Sequence, residues 1–389
     1  MDGKLSLKGW LALAGLACSA FVFNTSEFIP IGLLTDIAAD FHVTEARAGL
    51  LISVYAWMVA LLSLPLMLAC SKMNLRTLLL WVVFLFAFFQ VCSALAPGYY
   101  ALMFARIGVA CTHSIFWSIV SPLGVRIVPP RNKALALSVI VTGSAIAMIF
   151  GMPLGRVIGL HIGWRATFMS IGGVSLLTFL YLLHALPSVP SRGGFALKKL
   201  PSMVFDPLLL RIYLFTLLIA TAYFTGYSYI EPFLKQTAGF ADSLVTATLM
   251  VFGAAGLIGS ALFSKLYTKA PGLFVTLCTL ALCLCLLALL PLSGSMPAEV
   301  AACAVWGAAA TAFNVALQSQ IIACTPPEGT AVSMSVYSGI FNLGIGSGTL
   351  FGGIVCTCAS ISYIGVAGAV IGLPAVLYWH LRTSRMLVR

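Results

Sequence analysis

Twelve long apolar runs joined by short connections constrain this chain more than any other feature. They lie near 9–34, 48–70, 77–96, 99–125, 134–160, 166–187, 212–234, 243–264, 272–292, 300–323, 331–356 and 360–381. A helix needs about 20 such residues to cross a hydrocarbon layer roughly 30 Å thick. Lipid offers no partner to backbone polar groups, so the runs are expected to be helices. Of 389 residues, 61% are hydrophobic and 8% charged, against roughly a quarter charged in a soluble domain. The expected class is an all-α membrane protein with 12 transmembrane helices. Lys4 and Lys8 precede the first run as in a signal peptide, but the run is too long and Asn24 to Pro30 does not resemble a small-residue cleavage site. It is read as the first span.

The basic residues set the orientation. With a cytoplasmic N-terminus, the inner connections hold Lys4, Lys8, Lys72, Arg76, Arg126, Arg131, Lys133, Arg192, Lys198, Lys199, Arg211, Lys265, Lys269, Arg382, Arg385 and Arg389. The outer ones hold Arg47, Arg165 and Lys235. This asymmetry places both termini inside. The net charge of +11 is then a topology signal and a contact with anionic inner-leaflet lipid. The basic residues are scattered over loops, which argues against nucleic acid. Eleven cysteines lie in or beside apolar runs, where free Cys packs as a small hydrophobe, and neither Cys283-Leu-Cys285 nor Cys356-Thr-Cys358 has zinc-site spacing. No metal site and no cofactor is expected.

The longest polar connection follows the sixth run and suggests two bundles of six, 1–187 and 208–389, joined by a cytoplasmic linker, 188–207. Pro129-Pro130 before the fifth run recurs as Pro326-Pro327 before the eleventh, and at the same offset Ser138 meets Ser335, Gly151 meets Gly348 and Gly155 meets Gly352. Parallel halves of this kind characterise the major facilitator architecture, with the substrate site at their interface near the midplane. Small residues let helices approach closely. Gly151, Pro153 and Gly155 in the fifth run, with Gly348 and Gly352 in the eleventh, are therefore read as gating or static helix-packing positions.

Charge inside the runs is rare. Of ten acidic residues only Glu27 and Glu231 fall within them, the other eight being placed in connections or at the N-terminus. An ionisable group in hydrocarbon is costly and marks a functional site by default.

The phrase Phe23-Asn24-Thr25-Ser26-Glu27-Phe28-Ile29-Pro30 resembles the first span of bacterial sugar efflux transporters of the SotB type, in the drug:proton antiporter branch of the major facilitator superfamily. The similarity continues through Ser53-Val54-Tyr55-Ala56-Trp57, His113-Ser114-Ile115-Phe116-Trp117, Tyr227-Ser228-Tyr229-Ile230-Glu231-Pro232 and Ser338-Gly339-Ile340-Phe341-Asn342. Arg106-Ile-Gly108 resembles the fourth-span motif whose arginine is implicated in proton coupling. Gly151-Met-Pro153-Leu-Gly155 resembles the antiporter motif associated with exporters. The loop motif between spans two and three departs from the family, since Leu68 to Arg76 keeps basic residues without the aspartate. The resemblance implies proton-coupled sugar efflux.

Helical rise of about 1.5 Å per residue puts Glu27 and Arg106 each about 10 Å inside the outer ends of spans one and four. His113 returns to nearly the same face seven residues on, and Trp117 extends the stripe at i+4. Glu27, Arg106 and His113 are the expected proton-coupling residues. Burial and a neighbouring cation pull a carboxylate's proton affinity in opposite directions, so the affinity depends on conformation. The plainer readings are a permanent ion pair for Glu27 and a neutral hydrogen-bonded core residue for His113.

A neutral carbohydrate needs hydrogen-bonding side chains and aromatic faces. Asn24, Tyr227, Glu231, Asn314, Gln318 and Asn342 offer the first, Trp117, Tyr223 and Phe341 the second; hydrogen bonds between helices are the plainer reading for the amides. Glu231, close to Pro232 and Lys235 at an outer helix end where water reaches it, is read as a substrate-side or outer-gate residue. Arg156 either caps the outer mouth or snorkels.

Other classes lack their signatures. There is no Gly-x-x-x-x-Gly-Lys-Ser/Thr, no His-Glu-x-x-His and no Gly-x-Ser-x-Gly, and the five histidines are scattered. The chain is not expected to be an enzyme. The reading is a proton-driven exporter, acting as a monomer in a bacterial inner membrane, for small neutral sugars such as arabinose-like pentoses or thio-galactosides. Its partners are sugar, protons and membrane lipid. A broader multidrug or nucleoside:proton antiporter is the alternative, and an intramembrane enzyme the rival from another class.

Overall fold

A computed structural model of the chain describes residues 6–70, 72–190, 206–325 and 330–383. The described residues are helical, without strands. In chain order the α-helices are α1 (Leu7–Gly32), α2 (Leu34–Asp40), α3 (Glu45–Cys70), α4 (Leu75–Ala94), α5 (Tyr99–Arg126), α6 (Lys133–Ile146), α7 (Met152–Ile162), α8 (Trp164–Ala185), α9 (Pro207–Tyr227), α10 (Ile230–Gln236), α11 (Asp242–Leu266), α12 (Pro271–Leu292), α13 (Met296–Cys324), α14 (Thr330–Cys358) and α15 (Ile364–Tyr378). Among the described residues, twelve helical segments are long and apolar enough to cross a membrane. They match the twelve runs, with ends that differ by a few residues. The tenth begins at Met296 rather than 300, which brings Glu299 into a span and corrects its placement in a connection. Pro326-Pro327 and most of the linker, 191–205, lie outside the described residues.

Caps and prolines explain the breaks. Asp206 Oδ1 accepts from the Leu208 and Leu209 amides, both at 2.9 Å, and starts α9 with Pro207 in its first turn; a carboxylate there satisfies orphan donors and suits the helix dipole. Gly163, at φ 111°, ends α7 and turns the chain into α8, a backbone conformation that favours glycine. The fifth span is not a continuous α-helix. A π turn, Ala147–Gly151, joins α6 to α7, which carries Pro153 in its first turn. Proline has no N–H to bond four residues back, and wide turns and kinks are found at such points. The seventh span breaks at Ser228–Tyr229 between α9 and α10. The Ser228 hydroxyl lies 2.6 Å from that of Thr349, and Tyr229 Oη donates to the Thr349 carbonyl at 2.9 Å.

The chain divides into two compact units, one of residues Met1–Gly32 with Leu61–Phe195, the other of Leu33–Ala60 with Ala196–Arg389. In the first, α1 packs on α5, α6, α7 and α8, and α4 on α5 and α8. Phe23 of α1 is stacked between Phe86 of α4, at 3.8 Å, and Phe116 of α5, at 4.0 Å. In the second, α9 packs on α14 and α15, and α13 on α11 and α12. Large apolar side chains such as Phe104, Leu177 and Val370 stay largely exposed, a surface suited to hydrocarbon and costly in water.

Candidate functional site

Pro30 organises the polar centre of the first unit. It lies inside α1 and has no N–H for the carbonyl four residues back, that of Ser26. Arg106, 1% exposed on α5, supplies the donor: its Nη1 lies 3.2 Å from both the Ser26 carbonyl and the Ser26 hydroxyl. Gln90 Nε2 of α4 donates to the same hydroxyl. Three helices are thus tied at the residue preceding Glu27, in surroundings where an unmet backbone acceptor costs several kcal/mol.

Glu27 Oε2 is 3.6 Å from His113 Nε2, with the imidazole 2% and the carboxylate 11% exposed. Trp117 Nε1 donates to that same His113 nitrogen at 2.8 Å. Nε2 therefore faces a donor and an acceptor at once. With its lone pair free it accepts from Trp117; with a proton it loses that bond and becomes a donor for Glu27. The residues grouped from helical spacing do come together, with Arg106 bonded to Ser26 and His113 beside Glu27. Asn24 of α1 reaches the Ser144 carbonyl at 3.5 Å, a long hydrogen bond.

Arg156 departs from the snorkelling expectation. It is fully buried, and its Nη1 donates to the carbonyl of Gly32, the last residue of α1. A fully buried side chain does not snorkel, and this one satisfies a C-terminal carbonyl at the end of α1.

In the second unit Glu231 is fully buried rather than water-accessible. Thr35 of α2 donates to its Oε2 twice, from the hydroxyl at 2.7 Å and from the backbone amide at 3.2 Å. Lys235 Nζ lies 3.8 Å from Oε1 and 3.0 Å from Asp242. The chain break between α9 and α10 turns Glu231 inward where a continuous helix end would reach water.

The other polar candidates form local sets. Tyr223 and Tyr227 stack at 5.0 Å, with Trp306 edge-on to both and Phe252 4.8 Å from Tyr227; they make a buried aromatic cluster. Asn314 Oδ1 accepts from Gln318 Nε2 at 2.7 Å and from Tyr337 Oη at 2.9 Å. Asn342 Nδ2 donates to the Ser338 carbonyl of its own helix at 3.0 Å.

The glycines are points of contact. A Cβ at Gly151 would meet the Thr25 side chain, and one at Gly155 would lie 2.9 Å from Ile29 Cγ1. At Gly348 it would be 3.0 Å from the Thr225 amide, and at Gly352 2.6 Å from the Thr225 carbonyl. Pro153 opens α7 beside them.

Glu299 escaped the sequence reading. It is fully buried in the first turn of α13, and neither carboxyl oxygen has a hydrogen-bond partner among the described residues. The signal was Pro297-Ala-Glu299, since Pro and an acid in succession mark the first turn of a helix. All eleven cysteines are free, and the described residues hold no cluster of three or more His, Cys, Asp or Glu placed to bind a metal.

Comparison with known proteins gives this geometry a family. The fold is similar to that of a bacterial homologue of the human lysosomal transporter Spinster, solved in an inward-facing and unoccupied conformation, with a TM-score of 0.79 over 98% of each chain at 18% identity. It is also similar to a D-xylose-proton symporter, with a TM-score of 0.74 over 95% of this chain and 96% of that one at 14% identity. Residues 16–348 match the model of the Major Facilitator Superfamily. The chain belongs to that superfamily and is a membrane transporter of twelve spans.

Proposed function

We propose that the chain is a proton-coupled exporter of small neutral sugars, such as arabinose-like pentoses or thio-galactosides, in a bacterial inner membrane with both termini cytoplasmic. The observation that carries the coupling is the shared nitrogen of His113, 3.6 Å from Glu27 and 2.8 Å from Trp117 Nε1. One proton arriving or leaving there exchanges one partner for the other, so the local packing of α1 against α5 follows protonation. Glu27 is the exchanging acid, His113 its switchable partner, and Arg106 the fixed cation that holds the neighbouring turn of α1. The sugar assignment rests on the SotB-type phrases and on the uncharged character of Asn314, Gln318, Tyr337 and Asn342. The export direction rests on the antiporter-like Gly151-Met-Pro153-Leu-Gly155. A multidrug or nucleoside:proton antiporter is the second reading, favoured by the buried aromatic cluster of Tyr223, Tyr227 and Trp306.

Everted membrane vesicles offered a panel of sugars, drugs and nucleosides, with and without an imposed proton gradient, test both halves of the reading. Gradient-dependent accumulation of a pentose or thio-galactoside is the expected result. Accumulation of drugs or nucleosides alone overturns the substrate class, and accumulation indifferent to the gradient overturns the coupling.

A further inference from the structure

The second unit holds a set of unsatisfied polar groups, of which the reading above draws only on Asn342. Three buried atoms, Ser53 Oγ and Trp57 Nε1 on α3 and Asn342 Oδ1 on α14, have no hydrogen-bond partner among the described residues. Ser53 is 0% and Asn342 7% exposed. Buried polar atoms are nearly always paired, and each exception calls for an explanation.

Glycine contacts show that the two helices carrying them lie side by side. A Cβ at Gly339 would be 3.7 Å from the Ala60 carbonyl, one at Gly346 would be 2.8 Å from the Ser53 carbonyl and 2.5 Å from Trp57 Nε1, and one at Gly353 would be 3.4 Å from the Ala46 carbonyl. Read in order, these contacts run down α3 as they run up α14, residue for residue, so the helices are antiparallel in a single register. Three steps from the Ala60–Gly339 contact, that register sets Trp57 opposite Asn342; four further steps bring Ser53 opposite Gly346. Trp57 is one helical turn from Ser53, on the same face.

The polarity of the atoms narrows what fits. Asn342 spends its amide N–H on the Ser338 carbonyl, and a carbonyl only accepts, so the atom left over is an acceptor. Trp57 Nε1 only donates. A group that bridges them has to accept one hydrogen bond and give another. A carboxylate has no hydrogen for Asn342, and an ammonium has no lone pair for Trp57. A hydroxyl has both. Between Ser53 and Ala60 and along the whole of α14 there is no charged residue, so these stretches bring no charge to the site.

We propose that Trp57, Asn342 and Ser53 form a hydroxyl-binding subsite for the transported solute, with Trp57 Nε1 donating to, and Asn342 Oδ1 accepting from, one hydroxyl group. The proposal deepens the function above and rests on it only in requiring that the carried solute be neutral and bear hydroxyls. Gly346 is the position that lets the indole lie against α14.

The test uses the full-length purified chain and whichever member of the sugar, drug and nucleoside panel the vesicles show to be carried. Indole N–H resonances of the seven tryptophans are followed by NMR during titration, with Trp57 assigned from Trp57→Phe. The Trp57 signal is expected to move on addition of a carried solute that bears hydroxyls. Trp57→Phe and Asn342→Leu are each expected to weaken its binding about tenfold, the cost of leaving one polar partner unmet. Against the deoxy analogue lacking the recognised hydroxyl, wild type and both variants should bind alike. A Trp57 resonance that stays still while the same sample binds solute overturns the subsite, as does unchanged affinity in Trp57→Phe. A water or helix-to-helix contact at the site gives that outcome. If drugs rather than sugars prove to be carried, the sugar assignment fails, while a hydroxyl-bearing drug still decides on the subsite through the same resonance.

Discussion

Two glutamates in apolar surroundings, one in each unit, show how differently the same side chain can be held. Glu27 stands 3.6 Å from an imidazole whose nitrogen is also claimed by Trp117. Glu231 accepts two hydrogen bonds from a single residue, Thr35, with Lys235 behind it. The first has a partner that changes character with one proton. The second accepts from a hydroxyl and a backbone amide, which stay the same when a proton arrives. Burial alone therefore does not identify a proton site; what matters is whether the neighbour can exist in two states.

The largest effect that could break this contrast is expected from Glu27→Gln. It should abolish gradient-driven export in everted vesicles while leaving exchange of solute between the two faces intact. Undiminished uphill export would remove the proton from Glu27.

Arg106→Gln comes next. Loss of the charged donor to Ser26 should cost roughly 1.5–3 kcal/mol of stability. Pro30→Ala restores an N–H for the Ser26 carbonyl, so in the double variant part of that loss should return. Thermal unfolding of the four proteins in detergent checks this, and strictly additive effects would show that Pro30 and Arg106 do not share the carbonyl.

Thr35→Val sharpens the contrast from the other side. It removes the 2.7 Å hydroxyl bond to Glu231 and keeps the backbone one, which should lower stability by about 1 kcal/mol. The gradient dependence of export should stay as in the unmodified chain, and Thr35→Ser should recover the stability. A changed gradient dependence would make Glu231 a second coupling acid.

Trp117→Phe is expected to act most gently. The indole N–H is a donor that only the unprotonated His113 nitrogen can accept. Its loss should lower stability by about 0.5 kcal/mol, checked by thermal unfolding in detergent. A melting temperature that stays put would show that the indole bond contributes nothing to the fold.

Much of this was legible in the chain itself. Apolar runs of membrane-spanning length gave the helices, and a seven-residue spacing on α5 put Arg106 and His113 on the face that meets Glu27. Ser26 was legible in principle, because any proline inside a helix frees the carbonyl four residues back, and Pro30 points to Ser26. Glu299 was passed over because Met296-Pro-Ala-Glu looks like a connection when the apolar run is counted from 300. The pairing of Thr35 with Glu231 was beyond reach for another reason. It depends on the two chain breaks, at Leu33 and at Ser228–Tyr229, which re-aim short helices in ways that periodicity does not encode. The register of α3 against α14 was hidden too, since a single sequence records the glycines that permit close approach but not which residue each one faces.

The π turn at Ala147–Gly151 has a geometric consequence of its own. Such a turn holds one residue more than an α-helix would use for the same rise, and one residue corresponds to about 100° of rotation. Gly155 and the rest of α7 are therefore turned by about a quarter of a circle from where the pattern of α6 would have carried them. The fifth span therefore presents two differently aimed faces, joined at Ala147–Gly151.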